Sequence, residues 1–177
     1  YSKETIEIRV DANGAFSLAE VDQRLAQLTK LDIHSIEQPI RQGQIEEMAK
    51  LCARTPLAIA LDEELIGINE LKEKQALLEA IKPQYIILKP SLLGGFQASE
   101  EWLIIAKNLG IDWWATSALE SNIGLNAIAQ WTAFQETKMY QGLGTGGLYT
   151  NNVEAPLEIR KGKLWLNDGT YGLVGFE

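Results

Sequence analysis

Cysteine occurs once in the 177 residues, as Cys52 within "EEMAKLCARTP", so the chain holds no internal disulfide and fits a reducing compartment. The spacing around Cys52 marks it as core packing on a helix. Basic residues are scarce: 16 Lys and Arg stand against 24 Asp and Glu, a net charge of -8, with no basic cluster. Binding to a phosphate backbone depends on Lys and Arg displacing counterions, so nucleic acid is excluded as an expected partner. No run approaches the roughly 18 to 20 apolar residues of a membrane span, and no basic start leads into an apolar segment. The expectation is a soluble, cytoplasmic protein with no membrane partner. What is present is ordinary for a globular chain, 46% hydrophobic and 23% charged, enough for one good core.

Apolar runs of strand length recur: "TIEIRV", "IHSIEQ", "PLAIAL", "QYIILK", "IDWWAT" and, less clearly patterned, "MYQGL". Between them, "SLAEVDQRLAQLTKL", "IEEMAKLCAR", "NELKEKQALLEAI", "ASEEWLIIAKNLG" and "NIGLNAIAQWTAF" space their apolar residues by three and four, with Ser17, Asn69, Ser99 and Asn122 near plausible N-caps. Alternation of this kind means parallel strands with crossover helices, either an open doubly wound sheet or part of a (β/α)8 barrel. Strand composition favours the barrel. In "PLAIALD", Ala58 and Ala60 share a face with Asp62 while Leu57, Ile59 and Leu61 oppose them, and Ile6, Ile8 and Val10 likewise oppose Asp11. Small or polar inside and bulky outside suits a barrel wall covered by helices.

The expected architecture is therefore α/β, a partial TIM-type barrel of about six parallel strands over residues 1–150. After residue 150, "LEIRKGKLWLND" reads as a hairpin turning at "KGK" and leading into a glycine-rich, aromatic tail, so residues 151–177 are expected to pack on the same domain. "GLGTGG", residues 142–147, satisfies G-x-G-x-x-G but no helix pattern follows it, which argues against a dinucleotide fingerprint.

Four successive strands end in a charge: Asp11, Glu37, Asp62 and Lys89. Any one of them is explained equally well as a turn residue or cap. In a parallel barrel, however, all C-terminal strand ends share the face on which barrel enzymes build their sites. Three converging carboxylates raise one another's pKa values unless a cation joins them. Their oxygen donors favour a hard divalent ion, Mg²⁺ with Mn²⁺ as an alternative, and a small carboxylate as substrate. His34 has the wrong parity to join them, since Glu37 shares its face with Ser35. "WWATSALES" ends the next strand; Thr116 and Ser117 either hydrogen-bond a substrate carboxylate or cap the helix near Asn122. Trp113 and Trp114 read as wall and helix packing.

"VDANGAFS", "IEQPI", "IALDEEL", "ILKPSLLGGF" and "TSALESNIGL", in this order, resemble the enolase superfamily. The resemblance implies that Asp11, Glu37 and Asp62 are metal ligands and that Lys89 is the lysine of the family's sixth barrel strand. It implies a carbon–oxygen lyase of menaquinone synthesis that dehydrates 2-succinyl-6-hydroxy-2,4-cyclohexadiene-1-carboxylate to an aromatic acid. Epimerisation of dipeptides and racemisation of N-acylamino acids are alternatives within the superfamily, and a non-catalytic folded fragment is an alternative of another class. It also implies that Gly142 opens the loop after the eighth strand, whose N–H groups meet a succinyl carboxylate. The family's second strand carries a Lys-x-Lys pair supplying the acid/base, and Lys3, before the first strand here, is no counterpart. The chain is thus expected to be a C-terminal portion, third to eighth strand, lacking turnover on its own. Oligomeric state is left open.

Overall fold

The computed structural model describes residues 6–154 and 156–166. The chain divides into two compact units, one up to Trp114 and a second from Ala115, each described by itself.

In the first unit, helices alternate with parallel strands: β1 (Arg9–Asp11), α1 (Val21–Leu28), β2 (Ser35–Glu37), α2 (Ile45–Arg54), β3 (Ala58–Leu61), α3 (Leu71–Ile81), β4 (Tyr85–Leu88) and α4 (Phe96–Leu109). With β5 (Asp112–Ala115) they form a five-stranded sheet in the order β1-β2-β3-β4-β5. Sequential order with every neighbour joined through a helix is the arrangement of a barrel wall, as expected from the alternation.

The paired segments are shorter than the apolar runs that announced them. "TIEIRV" yields pairing only from Arg9 onward, although the Ile8 carbonyl still accepts from the His34 N–H at 2.8 Å. On β2, β3 and β4 the residues opposite the polar face, Ile36, Ile59, Leu61, Ile86 and Leu88, are completely buried. The helices bury their own three- and four-spaced residues: Val21 and Leu25 on α1, Met48, Leu51 and Cys52 on α2, Leu77, Leu78 and Ile81 on α3, Trp102, Ile105 and Ala106 on α4. Each large apolar side chain so buried contributes roughly 1.5–3 kcal/mol. Burial pushes the Cys52 thiol up to about 12, so it acts as a small apolar group, as its helix position implied.

Gln84 ties the layers together at the other end of the strands. Its Oε1 accepts from the Ile59 N–H at 2.9 Å and its Nε2 donates to the Cys52 carbonyl at 3.2 Å. The N-cap expectations are corrected: α1, α3, α4 and α5 are preceded by Glu20, Glu70, Gly95 and Ser121, none with a side-chain cap bond. Ser99 lies buried inside α4 and donates to the Gly95 carbonyl at 2.9 Å, a back-bond that uses its hydroxyl within the helix.

The second unit contains α5 (Asn122–Phe134) and the antiparallel hairpin β6 (Leu157–Arg160) and β7 (Lys163–Leu166). Lys161 and Gly162 turn it with φ of 50° and 73°, the left-handed pair that a two-residue hairpin turn requires. The expected tail, residues 167–177, lies outside the described residues. The sixth strand is a correction: "MYQGL" forms a single parallel bridge, Thr116 to Gly142, in place of a ladder. Gln141 Oε1 takes the Ala115 N–H at 2.7 Å, so a side chain satisfies a donor that a strand would have bonded through its backbone.

That bridge demands a glycine. A Cβ on Gly142 would meet Thr116 Cγ2 at 2.6 Å and Thr116 Cβ at 3.2 Å. Gly142→Ala is expected to destabilise the protein by about 1–3 kcal/mol in urea unfolding. Gly147→Ala, where nothing lies within 4 Å, should stay within about 1 kcal/mol of wild type. Equal effects of the two substitutions would refute the packing argument.

Candidate active site

The parallel register brings the strand-end charges of the first unit to one edge. Asp11 is aligned with Glu37, Glu37 with Ala60, and Asp62 and Lys89 directly follow β3 and β4. Lys89 Nζ bonds Asp62 Oδ2 and lies 3.6 Å from Glu37 Oε1, so one ammonium bridges two carboxylates. Asp62 is 3% exposed.

Crowding shows in the protonation of the group in the middle. Burial pushes the Glu37 carboxyl up to about 8, helped by its hydrogen bond with Asp62 and by the charges of Asp11 and Asp62, against a smaller opposing pull from Lys89. For Lys89, burial works against the charged form, but the bond to Asp62 and the charges of Asp62, Glu37 and Glu63 outweigh it and hold the ammonium above the ordinary lysine range. Asp11 is gripped from its own turn: Asn13 donates its backbone N–H to Oδ1 at 2.8 Å and its Nδ2 to Oδ2 at 2.5 Å. The same Nδ2 lies 3.4 Å from Glu63 Oε1, and Glu63 Oε2 is buried without a hydrogen-bond partner among the described residues. Burial raises the Glu63 carboxyl too. Among the described residues, no three His, Cys, Asp or Glu side chains are grouped as a ready metal cluster. At this rim a lysine bridges the carboxylates.

Beneath the rim lies a polar joint. Gln38 and Glu64 are buried, and their side chains bond each other, Gln38 Nε2 to Glu64 Oε2, at 3.0 Å. A groove of about 920 Å³ runs beside it, bordered by Asn13, Phe16, Gln38, Arg41, Gln44 and Glu63. At the opposite end of the strands, Arg9 stacks on the Trp114 ring at 4.0 Å and pairs with Glu7 at 2.6 Å. His34 joins that lower cluster, 5.0 Å from the Tyr85 ring, and its Nδ1 lies 2.9 Å from Ser35 Oγ. Burial lowers its pKa, more than Glu7 raises it.

In the second unit, the Ser117 hydroxyl donates to Glu120 at 2.7 Å and accepts from the Leu119 N–H at 2.8 Å, so it builds the turn ahead of α5. Thr116 Oγ1 is buried with no hydrogen-bond partner among the described residues. The Gly142 N–H donates to the Ala115 carbonyl at 2.8 Å and its carbonyl accepts from the Ser117 N–H at 3.2 Å, so both its backbone groups are engaged. Asn152 Oδ1 receives the Asn122 N–H at 2.9 Å, capping α5 from a distant loop.

Sequence reasoning did not single out Asn13, Gln38, Glu63 or Glu64. Asn13 was reachable, because Asp-x-Asn ahead of a glycine is a local side-chain-to-backbone turn pattern. The other three stand beside conspicuous charges and carry no periodic signal.

Three carboxylates and a lysine stand at the C-terminal ends of successive parallel strands, the face on which barrel enzymes build their sites. The family model described as "Enolase C-terminal domain-like" matches residues 2–173, and the chain belongs to that family. It is 60% identical over 164 residues to the o-succinylbenzoate synthase of Desulfotalea psychrophila, covering 93% of this chain and 44% of that protein. The crystal structure of MenC from Desulfotalea psychrophila LSv54 superimposes with a TM-score of 0.89 over 93% of this chain and 46% of that one, at 60% identity. The o-succinylbenzoate synthase of Mycolicibacterium smegmatis is 33% identical over 151 residues, 84% of this chain and 44% of that protein. The chain thus spans less than half the length of the curated relatives it matches.

The raised Glu37 carboxyl has a consequence for stability. Folded, it keeps its proton up to about pH 8, whereas an ordinary glutamate releases it near 4.5, so between those values the folded state binds more protons. Its contribution is therefore full below about pH 4.5 and declines as pH rises towards 8. In metal-free buffer, Glu37→Gln should flatten the fall in the urea midpoint between those pH values. An unchanged slope in the variant would assign the fall to other groups.

Proposed function

We propose that this chain carries the metal-holding and electrostatic part of an o-succinylbenzoate synthase, which removes the proton α to the carboxylate of 2-succinyl-6-hydroxy-2,4-cyclohexadiene-1-carboxylate and expels hydroxide. The observation that carries the reading is the meeting of Asp11, Glu37, Asp62 and Lys89 at one sheet edge. Identity of 60% to a relative bearing that name supports the substrate.

The donor set fits a hard divalent ion, Mg²⁺ or Mn²⁺. Asp11, Glu37 and Asp62 offer oxygen alone, and a bound cation would favour the charged form of Glu37, which burial first, then the hydrogen bond with Asp62 and the neighbouring carboxylates, hold protonated up to about 8. When bound, such an ion supplies Lewis-acid stabilisation of the second negative charge that develops on the substrate carboxylate. Asp11, Glu37 and Asp62 would hold it, with Asn13 fixing the Asp11 carboxylate.

Lys89 keeps its proton, because its surroundings favour the ammonium. Its role is a fixed positive charge facing the developing enolate, and loss of water with aromatisation needs no second base at this position. Racemisation would need Lys89 to give and take protons. The proton acceptor implied by the family resemblance is the second lysine of a Lys-x-Lys pair. Among the five strand ends of this sheet Lys89 is the one lysine, so this sheet offers no counterpart of that pair. Thr116 carries a buried hydroxyl with no hydrogen-bond partner among the described residues. Ser117 and Gly142 serve the backbone around it.

The test is the dehydration assay, loss of diene absorbance with formation of o-succinylbenzoate, on the protein as its gene encodes it. Lys89→Ala should lose about 10²- to 10³-fold in kcat with an unchanged circular dichroism spectrum. Lys89→Arg should retain part of the rate, because it preserves the charge. Wild-type rates in Lys89→Ala would remove Lys89 from the mechanism, and equal losses in both variants would make it a proton-transfer group.

A further inference from the structure

Gln38 is completely buried just after β2, with φ of 38°, a left-handed conformation that a residue with a side chain adopts at a cost in backbone energy. Its hydrogen bonds account for that cost. The backbone N–H donates to the Ala60 carbonyl at 3.0 Å. The side-chain Oε1 accepts two backbone N–H groups, those of Asp62 and Glu64, each at 3.3 Å. Nε2 donates to the Ile40 carbonyl at 3.1 Å and to Glu64 Oε2 at 3.0 Å. Glu64 Oε1 in turn takes the Gly43 N–H at 2.8 Å. Every donor and acceptor of the Gln38 amide is thus spent joining the turn after β3 to the loop after β2.

We infer that Gln38, braced by Glu64, is a positioning residue that fixes the distance between the Glu37 and Asp62 carboxylates and so sets how tightly this rim takes a divalent ion. The inference rests on the proposed metal role of that pair. Glu37 is the covalent neighbour of Gln38, and Asp62 is held by its own N–H on the Gln38 oxygen, so one side chain spans both. Two carboxylates that share a hydrogen bond and repel one another need a rigid support beneath them to stay close. Glu64 is the second half of that support, because a buried carboxylate accepting only N–H donors locks the amide in one orientation. Partners behind metal ligands typically change metal affinity by about 10- to 100-fold.

The experiment compares the protein as its gene encodes it with Gln38→Ala, Gln38→Glu, Glu64→Gln and the exchanged pair Gln38→Glu/Glu64→Gln. Mn²⁺ affinity is read from the electron paramagnetic resonance signal of the free ion, and amide hydrogen exchange is followed at Asp62 and Glu64. Gln38→Ala should weaken Mn²⁺ binding about 10- to 100-fold and speed exchange at those two amides, with Ile86 and Ile87 of β4 unaffected. Gln38→Glu should lose at least as much, because it sets one carboxylate against another. The exchanged pair restores one amide facing one carboxylate but not the bond to the Ile40 carbonyl, so it should recover part of the affinity lost in Gln38→Glu, an outcome that a general loss of folding cannot imitate. Wild-type affinity in Gln38→Ala, unchanged exchange at Asp62 and Glu64, or a folded exchanged pair as weak as Gln38→Glu overturns the inference while leaving the metal reading intact. If the wild type takes up no Mn²⁺, the metal reading falls and this inference falls with it.

Discussion

Two carboxylates on adjacent parallel strands, Glu37 and Asp62, share one hydrogen bond and one ammonium, and most features of the rim answer to that crowding. Adjacent strands run only about 4.8 Å apart, so side chains at their ends cannot separate without breaking the sheet. Nature's usual release, splaying the strands, is closed here by the apolar layer on the other face, where Ile36, Ile59, Leu61, Ile86 and Leu88 are fully buried. The remaining releases are electrostatic. A proton stays on Glu37, Lys89 leans across to Asp62, and any divalent ion taken up would serve the same need more strongly.

Much of this was legible in the chain because strand periodicity is two. Asp11, Glu37, Asp62 and Lys89 each end an apolar run, for Asp11 and Asp62 with a parity that puts the charge opposite the bulky residues, and Asp11 and Glu37 are aligned neighbours in the register. The hairpin was legible for a different reason, since Lys161 and Gly162 sit where a left-handed pair is needed. The sixth strand was misread because "MYQGL" has the apolar content of a strand without its function. Gln141 caps a backbone donor with its side chain, and Gly142 allows a single close approach to Thr116. Helix starts were misread where a serine or asparagine matched the statistics of a cap but its hydroxyl or amide was used elsewhere, as in Ser99.

The joint under the rim was not legible, and the reason is physical. In "IEQPI" and "IALDEEL", Gln38 and Glu64 look like solvated neighbours of more interesting charges. Only tertiary structure shows that both are buried, where a polar group without partners would cost about 1–3 kcal/mol. Their pairing is long-range, 26 residues apart, and no local pattern encodes it. Arg9 and Trp114 illustrate the same limit at the other end of the strands: parity places Arg9 on the face of Asp11, but the ring it stacks on comes from β5.

Asp62 shows why the visible charges and the hidden amide belong to one device. Its carboxylate is 3% exposed, far too buried to stand as an isolated charge, and its backbone N–H is equally removed from water. Lys89 answers the first problem from the neighbouring strand end, and Gln38 answers the second from the strand on the other side. Changing either partner therefore disturbs the same carboxylate by a different route, Lys89 through its charge and Gln38 through its position. A rim built this way carries its charge on Glu37, Asp62 and Lys89, while the backbone beneath Asp62 is held by an amide that carries no charge.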